Sequence, residues 1–182
     1  MAGIINSAMQ GATQPNAAPS AAPTTNIADP ILKKTKLGIE AKIGPQIKKQ
    51  FLSIENAGLA LLSSGNMMKL ALQKIQGSQD LAGTVSDGVA NIIATIYNQV
   101  APKMQGNQQF NDLFVAAAPS AGISLMCQVL DMAKQALNIN ITQQLVAQCS
   151  QATAQKVLAK FHITNQQIQQ AVAAGKQAQA GA

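Results

Sequence analysis

Apolar residues recur along this chain at steps of three and four, separated mainly by amides, hydroxyls and small side chains. That spacing gathers side chains on one side of a 3.6-residue turn, so it predicts helices and not strands. The clearest run is Leu81, Val85, Val89, Ile92, Ile96 and Val100, a single stripe along one helix. Ala82, Ser86, Ala90 and Ala94 lie beside it and are small enough for a second helix to approach closely. This helix is therefore expected to bury two faces, with Asp80, Asp87, Asn91 and Asn98 on the remainder, Ser78 as its cap and Pro102 as its end.

The other elements follow from the same pattern and its punctuation. Asp29-Pro30 opens a helix, because the carboxylate accepts from orphan amide hydrogens and proline suits the first helical position. That helix runs over 31–43 until Gly44-Pro45 breaks or kinks it. A second helix sets Ile47, Phe51, Ile54, Leu61 and Leu62 on one side and stops at Ser63-Ser64-Gly65. Met67, Met68, Leu70, Leu72 and Ile75 make a short apolar helix before Gly77. Phe110, Leu113, Phe114 and Val115 begin the most apolar region, which includes Ile123, Leu125, Met126, Val129 and Leu130 and carries no charge between Asp112 and Asp131. As a helix, 113–130 spans about 27 Å, close to the roughly 30 Å of a bilayer core. Pro119, Ser120, Gly122, Ser124 and Gln128 weaken it as a lipid-facing helix, and Pro119 invites a kink or break. Two readings stand: a buried hairpin in an assembly, or a segment that enters membrane once chains associate.

After the connector Asn138-Ile139-Asn140, Thr142 caps a helix to Lys160, with Leu145, Cys149, Ala152, Val157, Leu158 and Phe161 as its apolar side. Gln144, Gln148, Gln151 and Gln155 form a separate amide stripe, read as a solvated face or as a surface between subunits or along an aqueous lumen. Thr164 and Gln167 have capping-box spacing and open a last helix through Ile168 and Val172. The domain plan is a flexible Ala/Pro-rich arm over 1–28, in which Ile4, Ile5 and Met9 form a short apolar patch, a helical domain over 29–174 and a mobile tail over 175–182. The fold class is all-α: a multi-helix bundle or helical hairpins assembling into an oligomeric ring or tube.

Composition sharpens this picture. Charged residues are 11% of the 182, against roughly 25% in an ordinary soluble domain, so polarity rests on Gln, Asn, Ser and Thr. Amides cost less to bury than charges, so such helix faces suit association with a neighbour or a headgroup layer. The net charge is +6 with lysine as the only basic residue, and six of the thirteen, Lys33, Lys34, Lys36, Lys42, Lys48 and Lys49, crowd the first two helices. That stretch reads as a solvated face or as a contact for anionic lipid or DNA phosphate. Sequence-specific reading of nucleic acid is not expected without arginine forks.

Little in the chain points to chemistry. Cys127 and Cys149 lack metal or disulfide spacing and read as buried, free thiols. His162 stands alone, and the seven acids are scattered singly. No phosphate-cradling, dinucleotide or nucleophile-elbow motif occurs, so neither an enzyme nor a cofactor, metal or small-molecule substrate is expected. The start lacks a basic n-region, with Lys33 the first lysine, which argues against a cleaved secretory signal and for synthesis in a cytoplasm.

Taken together, the Ala/Pro/Ser-rich arm through Pro30, the lysine-rich stretch over 33–49, the Ala/Gln-rich helices to Val172 and the uncharged 113–130 segment resemble the small internal virion proteins, or ejection proteins, of short-tailed bacteriophages. The resemblance is one of composition over most of the chain. It implies a protein made in the host cytoplasm, stored in the virion beside other virion proteins, and released with or ahead of the genome. It further implies reassembly as a homo-oligomeric conduit through the host envelope, with contact to membrane and nonspecifically to DNA. The other readings are a static virion component, such as a connector, decoration or tail-tube protein, and a soluble helical adaptor.

Overall fold

A computed structural model describes residues 26–104 and 107–161, and the fold over them is all-α. The elements are α1 (Pro30–Glu40), α2 (Pro45–Ser63), α3 (Gly65–Gln76), α4 (Leu81–Val100), a 3-10 turn (Ala101–Met104), α5 (Gln108–Leu137) and α6 (Gln143–Lys160). Helix α5 is the axle, packed by α1, α2, α3, α4 and α6, while α4 and α6 also pack on each other. Residues 1–25, with Ile4, Ile5 and Met9, and residues from His162 onward, with the Thr164 helix and the tail, lie outside the described residues.

Asp29 opens α1 as the sequence predicts, accepting from the amides of Ile31 and Leu32 at 2.9 and 3.1 Å. It also does more. Its second oxygen lies 2.6 Å from Lys134 Nζ near the end of α5, and its own amide donates to Asp131 at 2.9 Å. The Ala28 amide reaches Asp131 as well, and Ile27 is buried, so the packed chain begins within the stretch assigned to the arm. Burial disfavours the Asp29 carboxylate, but the Lys134 ammonium and the Leu32 and Ile31 amides outweigh it and hold its pKa below the ordinary 3.8. A depressed carboxyl contributes stability that is full above 3.8 and lost as pH falls through its lowered value. Urea unfolding should therefore find Asp29→Asn about 1–2 kcal/mol less stable than wild type near pH 6, with the gap closing below pH 3.8. A gap that stays constant down to pH 2 would contradict this role.

Helix α2 buries Phe51, Ile54, Gly58, Leu59 and Leu62. Gly58 sits where a Cβ would overlap the Leu125 side chain, so the missing methyl is what lets α2 lie close on α5. Helix α3 forms before Gly77 as expected, but only Ile75 of its large apolar residues is buried, while Met67 and Leu70 are 43% and 54% exposed. Met68, Leu72 and Ile75 turn toward α2, α4 and α5, whereas Met67 and Leu70 lie at the outer edge of the apolar arc and are left in water.

Helix α4 carries the predicted stripe, with Val85, Val89, Ile92 and Ile96 buried and Leu81 and Val100 half-buried. Its second face is also present: Ser86, Ala90 and Ile93 are buried, and the α6 residue Thr153 donates its hydroxyl to Ser86 Oγ at 3.2 Å. The cap, however, is Asp80 and not Ser78. Asp80 accepts from the Gly83 amide at 2.8 Å, while Ser78 Oγ sits two residues earlier, accepting from the Asp80 amide and meeting Thr84 Oγ1. Asp80 wins because it lies three residues before Gly83, where a cap can reach, and a carboxylate accepts more strongly than a hydroxyl.

Helix α5 runs unbroken through Pro119 over 30 residues, about 45 Å. The break offered at Pro119 does not occur. A helix packed by five neighbours recovers in burial the roughly 3 kcal/mol that an interior proline costs. Asn138, in the left-handed conformation at φ 57°, ends it. Thr142 caps α6, accepting from the Leu145 amide at 3.1 Å. The core face of α6 is Val146, Cys149, Thr153 and Val157, a stripe turned slightly from the predicted one, which had included Leu145 and Ala152 and omitted Val146 and Thr153. One end of the bundle closes on aromatic edges, with Tyr97, Phe110, Phe114 and Phe161 in ring contacts at 5.1 to 6.0 Å.

Both cysteines are free and buried. Burial is the main cause that pushes the Cys127 thiol up to about 12 and the Cys149 thiol to about 11. Since the thiolate is the nucleophile, folded protein at pH 8 should resist a thiol-titrating reagent and yield both thiols only after denaturation. Rapid labelling of either cysteine in the native state would show that the core opens readily.

Candidate anionic-surface interface

The exposed positions of α1 are Pro30, Lys33, Lys34, Leu37 and Gly38, a helical stripe at steps of three and four. In α2 the same pattern repeats with Lys48, Lys49 and Leu52. Each helix thus shows water a lysine pair followed, one turn later, by a leucine, 55% exposed at Leu37 and 42% at Leu52. Helix α3 adds exposed Lys69 and Lys74 around exposed Met67 and Leu70. All four exposed large apolar residues of the described chain therefore lie on α1, α2 and α3 with lysine close by.

Two of the three acids of this stretch, Asp29 and Glu55, are turned inward. Glu55 is buried, taking Lys36 Nζ at 2.7 Å and the Ser124 hydroxyl at 2.6 Å on one carboxylate oxygen. Asp29 is held at the α1 cap. Glu40 is half-buried and 3.8 Å from Lys36. Among the described residues, Lys33, Lys34, Lys42, Lys48, Lys49, Lys69 and Lys74 have no acidic partner. The outward field of α1 to α3 is therefore positive, although each acid in the stretch would cancel a lysine if both faced water.

Five of the six lysines picked from the sequence are exposed, and the sixth is not. Lys36 does not face outward. It lies one turn after the fully buried Leu32, so its stem follows the inner side of α1 and its ammonium completes the Glu55 pair. Leu37, Leu52, Lys69 and Lys74 were missed, though the repeated Lys-Lys-x-x-Leu at 33–37 and 48–52 was there to be read.

The other candidate sets resolve differently. Of the apolar residues offered as membrane or oligomer contacts, Phe114, Leu125, Met126, Val129 and Leu130 are buried among helices of the same chain, and Leu113, Val115 and Ile123 are half-buried. Helix α5 is the one described helix long and apolar enough to cross a membrane, yet 67% of its most apolar stretch is covered within this fold. The stripe of α4 is core. Gln144, Gln148, Gln151 and Gln155 are all exposed on α6, an amide face open to water. Among the described residues no three His, Cys, Asp or Glu side chains gather in a metal-binding group.

No protein family, curated protein or solved structure matches this chain.

Proposed function

We propose that this chain is a non-enzymatic assembly protein that docks on anionic surfaces through the lysine and leucine faces of α1, α2 and α3. Its setting is the one its composition implies, a phage virion protein acting in genome ejection and building an oligomeric helical conduit across the host envelope. The observation that carries the docking is the segregation of charge: unpaired lysines outward with exposed leucines beside them, Asp29 and Glu55 inward. Lysine stems lie along apolar surface while their heads seek phosphate, so such faces fit the boundary between headgroups and acyl chains.

The burial of α5 favours docking from the side as the first event, since Phe114, Leu125 and Leu130 already have partners. A conduit then requires α4 or α5 to exchange those contacts for equivalent ones in other copies. The same burial favours the second reading, a virion component that keeps this one packing throughout.

Flotation with the full chain tests the docking. Phosphatidylglycerol vesicles should carry the protein upward at low salt and release it as ionic strength rises, whereas phosphatidylcholine vesicles should leave it behind. Failure to float with acidic vesicles, or equal flotation with both, overturns the proposal. Mass spectrometry of particles before and after genome release tests the setting: loss on release supports ejection, retention supports the static component, and absence from particles removes both.

A further inference from the structure

A groove of about 690 Å³ runs between α1 and α6, and Ile123 of α5 lies in its lining. Ile31, Ile39, Ile123 and Val146 supply its apolar surface, with exposed Ala147 at the α6 edge. Two lining hydroxyls are already used within their own helices: Thr35 donates to the Ile31 carbonyl at 2.9 Å and Ser150 to the Val146 carbonyl at 2.7 Å. The charged groups of the lining are Lys34 and Lys42, with no acid among them. The pocket thus combines an aliphatic trough with uncompensated positive charge. A neutral peptide segment would cover the trough and leave both ammonium groups without a counter-charge, whereas an aliphatic chain with an anionic head satisfies both features.

We propose that this groove takes one acyl chain of an acidic membrane phospholipid, with the headgroup phosphate drawn to Lys34 and Lys42. Lys34 lies within α1 and Lys42 in the turn just past its end at Glu40; both line the groove on flexible four-carbon stems, so their ammonium groups can converge on one phosphate. Lys34 also belongs to the exposed face of α1 with Lys33 and Leu37, so the groove opens beside the surface that rests on lipid. The bilayer as the source of the lipid rests on the docking proposed above, whereas the chain-and-anion chemistry of the groove does not. Ile123 thereby gains a lipid contact while its helix stays in the core.

Isoleucine and valine methyl NMR of the full chain tests the groove with dodecyl phosphate, used below its micelle threshold. Shifts are expected at Ile31, Ile39, Ile123 and Val146, with Ile54 and Ile93 of the deep core unmoved. Ala147→Trp, which fills the groove from an exposed position, should abolish the shifts, and Lys34→Gln with Lys42→Gln should weaken binding at least about tenfold. Dodecyl maltoside, with the same chain and a neutral head, should bind as weakly as the double variant. No shift at the groove methyls, unchanged binding by Ala147→Trp, or equal affinity for the neutral amphiphile would each overturn the assignment. The source is tested in phosphatidylglycerol nanodiscs containing lipid labelled with a nitroxide at its chain end. Broadening of the groove methyls supports the bilayer, and unbroadened methyls in docked protein overturn it. If the protein binds dodecyl phosphate but floats with no vesicle, the docking fails and the groove chemistry stands; the reverse result sinks the groove and leaves the docking.

Discussion

Replacing Lys33, Lys34, Lys48 and Lys49 together by glutamine should weaken binding to phosphatidylglycerol vesicles by about 1,000-fold. Each lysine close to an acidic membrane is worth about 1 kcal/mol, so the four sum to about 4 kcal/mol, nearly three decades of affinity. The fold should be untouched, because all four are exposed and none has an ion pair among the described residues. An unchanged circular-dichroism melt would establish that. A parallel variant, Leu37→Ser with Leu52→Ser, should keep the salt dependence but bind more weakly, since it removes apolar burial and leaves the charge. The contrast with Lys36→Gln separates docking from folding. That variant should lower stability, because it strips Glu55 of its buried partner, and should alter vesicle binding little when the protein is folded. Vesicle affinity that survives the quadruple change would place the docking surface elsewhere.

The helices were legible because their boundaries rest on local chemistry. Asp29-Pro30, Gly44-Pro45 and Thr142 each act within four residues, and the structure places a helix start at each. Which side of a helix faces inward was legible only where the stripe was strong, as in α4. In α6 the apolar positions are diluted by alanine and threonine, and Thr153 becomes core because its hydroxyl finds Ser86 sixty-seven residues away. No periodicity argument contains that partner. Glu55 was read as a lone acid for the same reason: its partners come from α1 and α5, so it is a buried junction only after the chain has folded. The lysine surface was half legible. Clustering marked it, but the identity of Lys36 as an internal cation depended on which side of α1 meets α2. The uncharged 113–130 stretch shows the limit most plainly, since lipid and the interior of a helical bundle ask for the same residues. What separates them here is enclosure of α5 by the other five helices.

That enclosure depends on close approach between α2 and α5, so the second large effect is expected at Gly58 and Leu125. Leu125 is fully buried, and its truncation in Leu125→Ala removes methyl groups and leaves a cavity, at a cost of about 3–5 kcal/mol. Gly58→Ala works in the opposite sense. The new methyl runs into the Leu125 side chain, whose Cγ would lie 3.1 Å away, and a leucine without solvent exposure has little room to turn aside. Overpacking of this kind costs about 1–3 kcal/mol, against a gain of about 1 kcal/mol from alanine's better helix propensity. The net expectation is a loss of about 1 kcal/mol. Combined, the two changes relieve each other, because the methyl added at Gly58 enters space vacated by Leu125. The double variant should therefore be more stable than the sum of the singles by about 1–2 kcal/mol, a coupling readable from urea midpoints in a double-mutant cycle. Strict additivity would mean that α2 and α5 do not meet at this point. Because release of α5 is what a conduit would require, the same cycle run with acidic vesicles present tells whether docking loosens the seam. A coupling that disappears on vesicles means α2 and α5 have parted, and one that persists means the protein docks with its core closed.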